Sequence, residues 1–234
     1  MASDVLPAAS EKAAVVQNMF DRIAPEYDRM NGLMTAGFDR AWRRAVIAEA
    51  AIDRDSVVVD VACGTGDIGL LARETGARVV ALDFAAVMLG IAAQRGLEGR
   101  LSRADALSLP IATGSADAVT CGFALRNFVE IEPFVREAAR VLKPGGRLVV
   151  LEVAEPSNRL VRFLHGFYFN RIVPLMGALL ADRSAYSYLP QSVVYLPSTE
   201  ELLGMLQRNG FESTRAQRFG SGGIQVVSGR RGGS

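Results

Sequence analysis

The chain has 234 residues, enough to bury a hydrophobic core in one domain with no disulfide or structural metal. Its 26 Lys and Arg against 25 Asp and Glu leave a net charge of +1, without the basic excess of a nucleic-acid binder. Half the residues are apolar and 22% charged, which excludes a disordered chain, and the longest apolar stretches, such as 172–181, fall far short of the roughly 20 residues of a membrane span.

Residues 10–50 read as helical, with Val16, Met19, Phe20 and Ile23 on one face. Pro25 and the Asn31-Gly32 pair are expected to break this segment, and a second helix is expected over 39–51. The first fourteen residues lack the basic and apolar regions of a signal peptide, so a cytoplasmic location is expected. From Ser56 the pattern changes. Val57-Val58-Val59-Asp60-Val61 is a short β-branched run ending in a glycine-rich turn, which reads as a buried parallel strand. Helices over 68–74, 87–95 and 132–142 then alternate with strands over 78–83, 101–104, 118–123 and 147–153. Lys143-Pro144-Gly145-Gly146 is expected to stop the third of these helices. This alternation predicts a doubly wound, mostly parallel α/β sheet. Residues 159–181 are apolar and mostly helical. Residues 198–209 form an amphipathic helix, and 211–218 and 224–228 form a terminal hairpin around Gly220-Ser221-Gly222-Gly223. The final Gly-Arg-Arg-Gly-Gly-Ser is expected to be a frayed tail.

The glycine turn Gly64-Thr65-Gly66-Asp67-Ile68-Gly69 matches G-x-G-x-x-G between a strand and a helix, where backbone N–H groups approach a cofactor closely. Asp83 ends the next strand, where a carboxylate accepts hydrogen bonds from ribose hydroxyls. Together they indicate an adenosine-containing cofactor. Asp60 and Asp67 flank the turn and would repel a pyrophosphate. Two acids suit S-adenosylmethionine, with its sulfonium and ammonium groups, better than a nicotinamide dinucleotide. Asp105 follows the third short strand and is placed to read an adenine amino group. Cys63 and Cys121 have no metal-ligand spacing, and one histidine, His165, leaves no cluster, so no metal is expected and both thiols read as free.

The chain resembles the ubiquinone/menaquinone-biosynthesis C-methyltransferases, a family of class I S-adenosylmethionine-dependent enzymes. The resemblance rests on Met19-Phe20-Asp21-Arg22-Ile23-Ala24-Pro25-Glu26-Tyr27-Asp28, Trp42-Arg43-Arg44, the 60–67 turn, Ala81-Leu82-Asp83-Phe84 and Ala104-Asp105-Ala106. It continues in Ala124-Leu125-Arg126-Asn127, Leu142-Lys143-Pro144-Gly145-Gly146-Arg147 and Tyr188-Leu189-Pro190-Gln191-Ser192-Val193. It implies a seven-stranded sheet with an antiparallel last strand, N-terminal helices over 10–51, a cofactor core over 52–155, a helical cap over 156–197 and a terminal unit over 198–229. It implies cofactor contacts at Thr65, Asp83, Asp105 and Ala106, and by neighbourhood at Asp60, Cys63, Gly64, Gly66, Phe84 and Gly122. Gly122 departs from the family, which usually has Ser there, and Gln225-Val226-Val227 replaces a usual Ala-Leu-His.

The reaction implied is ring C-methylation of a demethylquinol, in which a phenolate pushes density to the attacking carbon. Arg126, supported by Asn127, is expected to stabilise that phenolate. Asp28, with Tyr27, is the candidate base, and Phe123, His165, Phe169 and Tyr188 are candidate substrate contacts. Residues 158–180 mix Leu160, Phe163, Leu164 and Phe167 with Arg159, Arg162 and Arg171, which reads as a cap, or as a lid that also touches the bilayer. A soluble phenolic or terpenoid substrate, a non-catalytic cofactor-binding subunit and a homodimer stay open at this point.

Overall fold

The computed structural model describes residues 9–156, 158–173, 175, 188 and 191–233, and for Ala9, Ser10, His165, Phe169 and Asn170 the backbone alone. Two helices, α1 (Ala9–Thr35) and α2 (Asp39–Ala50), precede strand β1 (Val57–Val61). Then follow α3 (Asp67–Glu74), β2 (Arg78–Asp83), α4 (Ala86–Ala92), β3 (Leu101–Arg103) and β4 (Ala116–Gly122). Next come α5 (Ile131–Val141), β5 (Leu142–Val153), α6 (Arg159–Phe167), α7 (Thr199–Arg208), β6 (Phe211–Phe219) and β7 (Ile224–Arg231).

The strands form one sheet of order β3-β2-β1-β4-β5-β7-β6, in which β7 alone runs opposite to the other strands. Val58 and Val59 of β1 are both fully buried although they point to opposite faces, so the continuous Val run reflects a strand covered on both sides. One apolar cluster gathers Phe134, Leu148, Leu206 and Val227 on one face, and another gathers Val46, Ala72, Leu97 and Val149 on the other. The chain winds from β1 toward β3, then returns to β4 on the other side of β1. This reversal opens a crevice beyond the carboxyl ends of β1 and β4, where ligands of such sheets bind.

Three local expectations are corrected. Pro25 does not break α1, which runs through it to Thr35. Proline forgoes one backbone bond at a cost of about 3 kcal/mol. Against that, α1 buries Val16, Met19, Ile23, Ala24 and Met30, and its Asp21 Oδ1 accepts the Val87 N–H at 3.1 Å. The Gly-Arg-Arg tail is not frayed either. Arg230 pairs with Arg147 and with Glu212, and Arg231 pairs with Phe211, so a second strand on each side holds the end of β7. Finally, α5 stops at Val141 as foreseen, but Lys143-Pro144-Gly145-Gly146 lies inside an extended β5 beginning at Leu142, with a register shift opposite β4. Helix α7 starts with a capping box, Ser198 Oγ accepting Glu201 N–H and Glu201 Oε2 accepting Ser198 N–H.

Candidate active site

The turn after β1 builds the floor of the crevice. Gly66 has φ +90°, and a Cβ there would lie 2.5 Å from Leu97 Cδ1, so glycine is required both by conformation and by the approach of that side chain. Two residues without glycine's freedom also hold positive φ: Ala62 (53°) just after β1 and Phe123 (56°) just after β4. Such strain costs on the order of 1–3 kcal/mol at each position, both at the crevice lining. The Phe123 ring meets Trp42 edge-on, with centroids 6.4 Å apart, and lies 5.9 Å from the Arg43 guanidinium carbon.

Asp60 and Asp83 have different jobs. Asp60 sits inside the sheet, accepting Thr120 Oγ1–H at 2.8 Å on one oxygen and Gly69 N–H at 2.9 Å on the other. Burial outweighs these two donors and pushes its carboxyl up to about 7. Asp60 thereby ties β1, β4 and α3 together behind the turn. Asp83 accepts Gly64 N–H and Ala85 N–H, each at 2.8 Å, and burial pushes it above the usual carboxylate range.

A cavity of about 170 Å³ opens beside it, lined by Asp83, Phe84, Ala104, Asp105, Ala106 and Leu107 from the β2–β3 side. Gly64, Gly122, Phe123, Ala124, Asn127 and Phe128 line the β1–β4 side. Ala13, Val16, Phe20 and Tyr27 of α1 roof it. Asp105 lies at the rim, one oxygen accepting Leu107 N–H at 2.9 Å. A smaller polar pocket adjoins the first through Tyr27, Ala62, Gly64, Gly122 and Phe123, and adds Arg43, Asp60, Cys63, Thr65, Asp67 and Ile68. Arg43 is buried and ion-paired with Asp39 and, at 3.1 Å, with Asp67. Gly122 leaves space that Ile68 fills: a Cβ at that position would stand 2.7 Å from Ile68 Cδ1.

Both oxygens of Asp28 are engaged. Oδ1 accepts Thr65 Oγ1–H at 2.6 Å and Oδ2 pairs with Arg95 Nη1 at 3.0 Å, while Arg95 Nη2 reaches Asp67 at 2.7 Å. Helix α1 is thereby latched to the glycine turn. At its other end Lys12 Nζ donates to Phe128 O at 2.6 Å and lies 3.8 Å over the Tyr195 ring. Tyr27, half-buried where the two pockets meet, has its phenol pushed upward by burial.

Arg126 lies in a short 3-10 turn (Leu125–Asn127) after β4 and is buried, not a surface ion pair. Its Nη1 contacts Oε1 of Glu152, a fully buried carboxylate on β5 that the sequence reading missed. Nothing in the Leu-Glu-Val context of Glu152 announces it, beyond an acid inside an otherwise apolar strand. Tyr188 is near enough for Arg126 to act on its phenol, which burial nonetheless pushes up to about 12. The candidate contacts His165 and Phe169 lie outside the described side chains.

The ubiE/COQ5 methyltransferase family model matches residues 8–231. A demethylmenaquinone methyltransferase of Deinococcus radiodurans is 42% identical over 224 residues, 92% of this chain and 93% of that one. The ubiquinone/menaquinone biosynthesis C-methyltransferase of Syntrophotalea carbinolica is 40% identical over 91% of this chain and 92% of its own. Among solved structures, a SAM-dependent methyltransferase of Thermotoga maritima, described as a possible histamine N-methyltransferase, superposes with a TM-score of 0.68 at 20% identity, covering 92% of this chain and 98% of that one. The [4+2]-cyclase SpnF gives 0.65 at 21% identity with 97% of each chain covered, so the shared fold alone does not set the reaction.

Proposed function

Because the chain belongs to the ubiE/COQ5 methyltransferase family, we propose that it transfers a methyl group from S-adenosylmethionine to a ring carbon of a demethylated quinol in menaquinone or ubiquinone biosynthesis. The observation that carries this reading is the near full-length match, in both chains, to relatives named for that reaction.

The residues present fit the cofactor. Asp83 lines the cavity where ribose hydroxyls would sit, and Phe84, Ala106 and Leu107 make an apolar slot beside Asp105 for adenine. Gly64, Thr65 and Gly66, with Cys63 and Gly122, supply the backbone around the adjoining pocket. Arg43 beside Asp60 and Asp67 supplies the mixed charge that suits an amino-acid end. When bound, the cofactor supplies an electrophilic methyl group on a positively charged sulfur.

The protein has to bring a ring carbon in line with that methyl and favour the ring's phenolate. Arg126 and Asn127 stand beyond the β4 end of the crevice to hold the ring oxygen, with Phe123 on the crevice wall placing the ring. Tyr27 closes the boundary between the pockets, and Asp28, engaged on both oxygens, serves as the latch of α1 instead of a free base.

An apolar tail on the substrate calls for delivery from a lipid surface. Among the described residues no helix is long and apolar enough to cross a membrane. However, α6 exposes Leu160, Phe163, Leu164 and Phe167, with Phe163 69% accessible, on the same short helix as Arg159 and Arg162. This pattern favours a helix lying on anionic headgroups. The test is methyl transfer to reduced demethylmenaquinone, a reduced ubiquinone precursor and soluble phenols. Product with the quinols is expected; product with soluble phenols alone would overturn the reading.

A further inference from the structure

The ion pair between Arg126 and Glu152 is incomplete. A guanidinium and a carboxylate usually meet at two points. Here Arg126 Nη1 meets Glu152 Oε1, which also accepts the Val153 N–H at 2.9 Å. Arg126 Nε and Glu152 Oε2 are both buried and both lack a hydrogen-bond partner. Two further buried atoms are orphaned in the same way, Asn127 Oδ1 and Tyr188 Oη. Leaving charged groups bare in a low-dielectric interior is costly, so such a cluster marks a place where a ligand atom completes the set. The ligand chemistry follows from the orphans: one donor and one acceptor on a single ion pair suit a hydroxyl, which gives a hydrogen bond to the carboxylate and takes one from the guanidinium. The pair stands directly behind the crevice wall, because Asn127, the residue next to Arg126, lines that wall.

We propose that Glu152 is a catalytic residue that takes the proton of the substrate ring hydroxyl on Oε2, while Arg126 Nε holds the oxygen from which it leaves. The inference rests on the quinol reading above. The O–H bond breaks, its proton passes to the carboxylate, and its electron pair stays on the ring as phenolate facing Arg126. The ring carbon then forms its bond to the cofactor's methyl as the sulfur–carbon bond breaks. The ring carbon's own proton leaves to water, and Glu152 returns the first proton to the ring oxygen. One methyl is transferred and one proton is released in net.

The test compares wild type with Glu152→Gln, which keeps shape and removes basicity. The assay is methyl transfer to reduced demethylmenaquinone across pH, with S-adenosylhomocysteine affinity as the measure of a preserved fold. The inference expects kcat to drop by about 100-fold or more, in the range of a lost general base. It also expects S-adenosylhomocysteine affinity to hold within about threefold. Glu152→Asp should recover part of the rate. Turnover of Glu152→Gln within threefold of wild type, on an enzyme that does methylate the quinol, overturns the inference and leaves the functional reading intact. Absence of quinol methylation by wild type would instead overturn the functional reading. Should Glu152→Gln not fold, the wild-type protein decides through the ultraviolet spectrum of bound 1-naphthol. Ionisation of the bound naphthol at lower pH than in free solution supports the inference. Ionisation at the free value or above, as when a buried water already completes the pair, overturns it.

Discussion

Asp28 and Thr65, 37 positions apart, are joined by a 2.6 Å hydrogen bond that fastens the roof helix α1 onto the glycine turn. The same carboxylate also pairs with Arg95, which reaches Asp67 as well, so the latch joins α1 to both Thr65 and Asp67 of the smaller pocket. Thr65→Val keeps the shape and removes the hydroxyl. The loss of a charge-assisted hydrogen bond is worth about 1.5–3 kcal/mol. S-adenosylhomocysteine affinity measured by calorimetry should therefore weaken about 10- to 100-fold, mainly through faster release.

Gly122 and Ile68 form a matched pair, since any side chain at 122 runs into Ile68 Cδ1. Gly122→Ser should destabilise the protein by about 1–3 kcal/mol, the usual penalty of overpacking. Ile68→Val deletes the clashing methyl, so Gly122→Ser with Ile68→Val should be more stable than the sum of the single changes. Denaturant unfolding of the four proteins in a double-mutant cycle checks this.

Asp60 makes stability depend on pH in a defined direction. Its folded value, about 7, lies above the unfolded 3.8, so the folded state binds the proton more tightly. Its stabilising contribution is complete below about pH 4 and is lost as the pH rises through 7. Asp60→Asn removes this titration. The stability of wild type minus that of Asp60→Asn should fall between pH 4 and pH 7, as read by urea unfolding at stepped pH. A flat difference would show that the two donors to Asp60, Thr120 and Gly69, hold it ionised in the fold.

Arg126→Ala strands Glu152 as a buried, unpaired carboxylate. Removing one partner of a buried pair costs about 3–5 kcal/mol. The variant should melt well below wild type, and replacing both residues, Arg126→Met with Glu152→Leu, should recover most of that stability but none of the turnover. Thermal melts beside the methyl-transfer assay separate the two effects.

The exposed face of α6 should act apart from the cofactor pocket. Changing Leu160, Phe163 and Leu164 to Ser removes three of its apolar residues, each more than half exposed. Flotation with vesicles rich in anionic lipid should be lost while S-adenosylhomocysteine affinity stays within twofold. Equal flotation of both proteins would place any membrane contact elsewhere.

Much of this molecule is written locally in the chain. The Val57–Val61 run, the glycine turn behind it and the acid at the end of β2 each specify a strand, a tight turn and a rim carboxylate within a few residues. Backbone conformation and hydrophobic period are short-range properties, so the alternating sheet and its crevice could be read before any contact was known. The places where that reading went astray are those where distant partners outweighed local preference. Pro25 stays helical because α1 is buried along its length, and the Gly-Arg-Arg end is a strand because β5 and β6 offer it hydrogen bonds from both sides. Distant partners also reach Asp28, whose two oxygens are engaged by Thr65 and Arg95 from 37 and 67 positions away. Only the tertiary structure could pair Arg126 with Glu152, because the register of β4 on β5 brings that carboxylate beside the turn that carries the arginine. The sequence by itself determined the sheet, the crevice and the kind of ligand it suits. The folded chain decided which charges are latched, which are buried and which are left waiting for a partner, since burial and pairing depend on what the topology brings near.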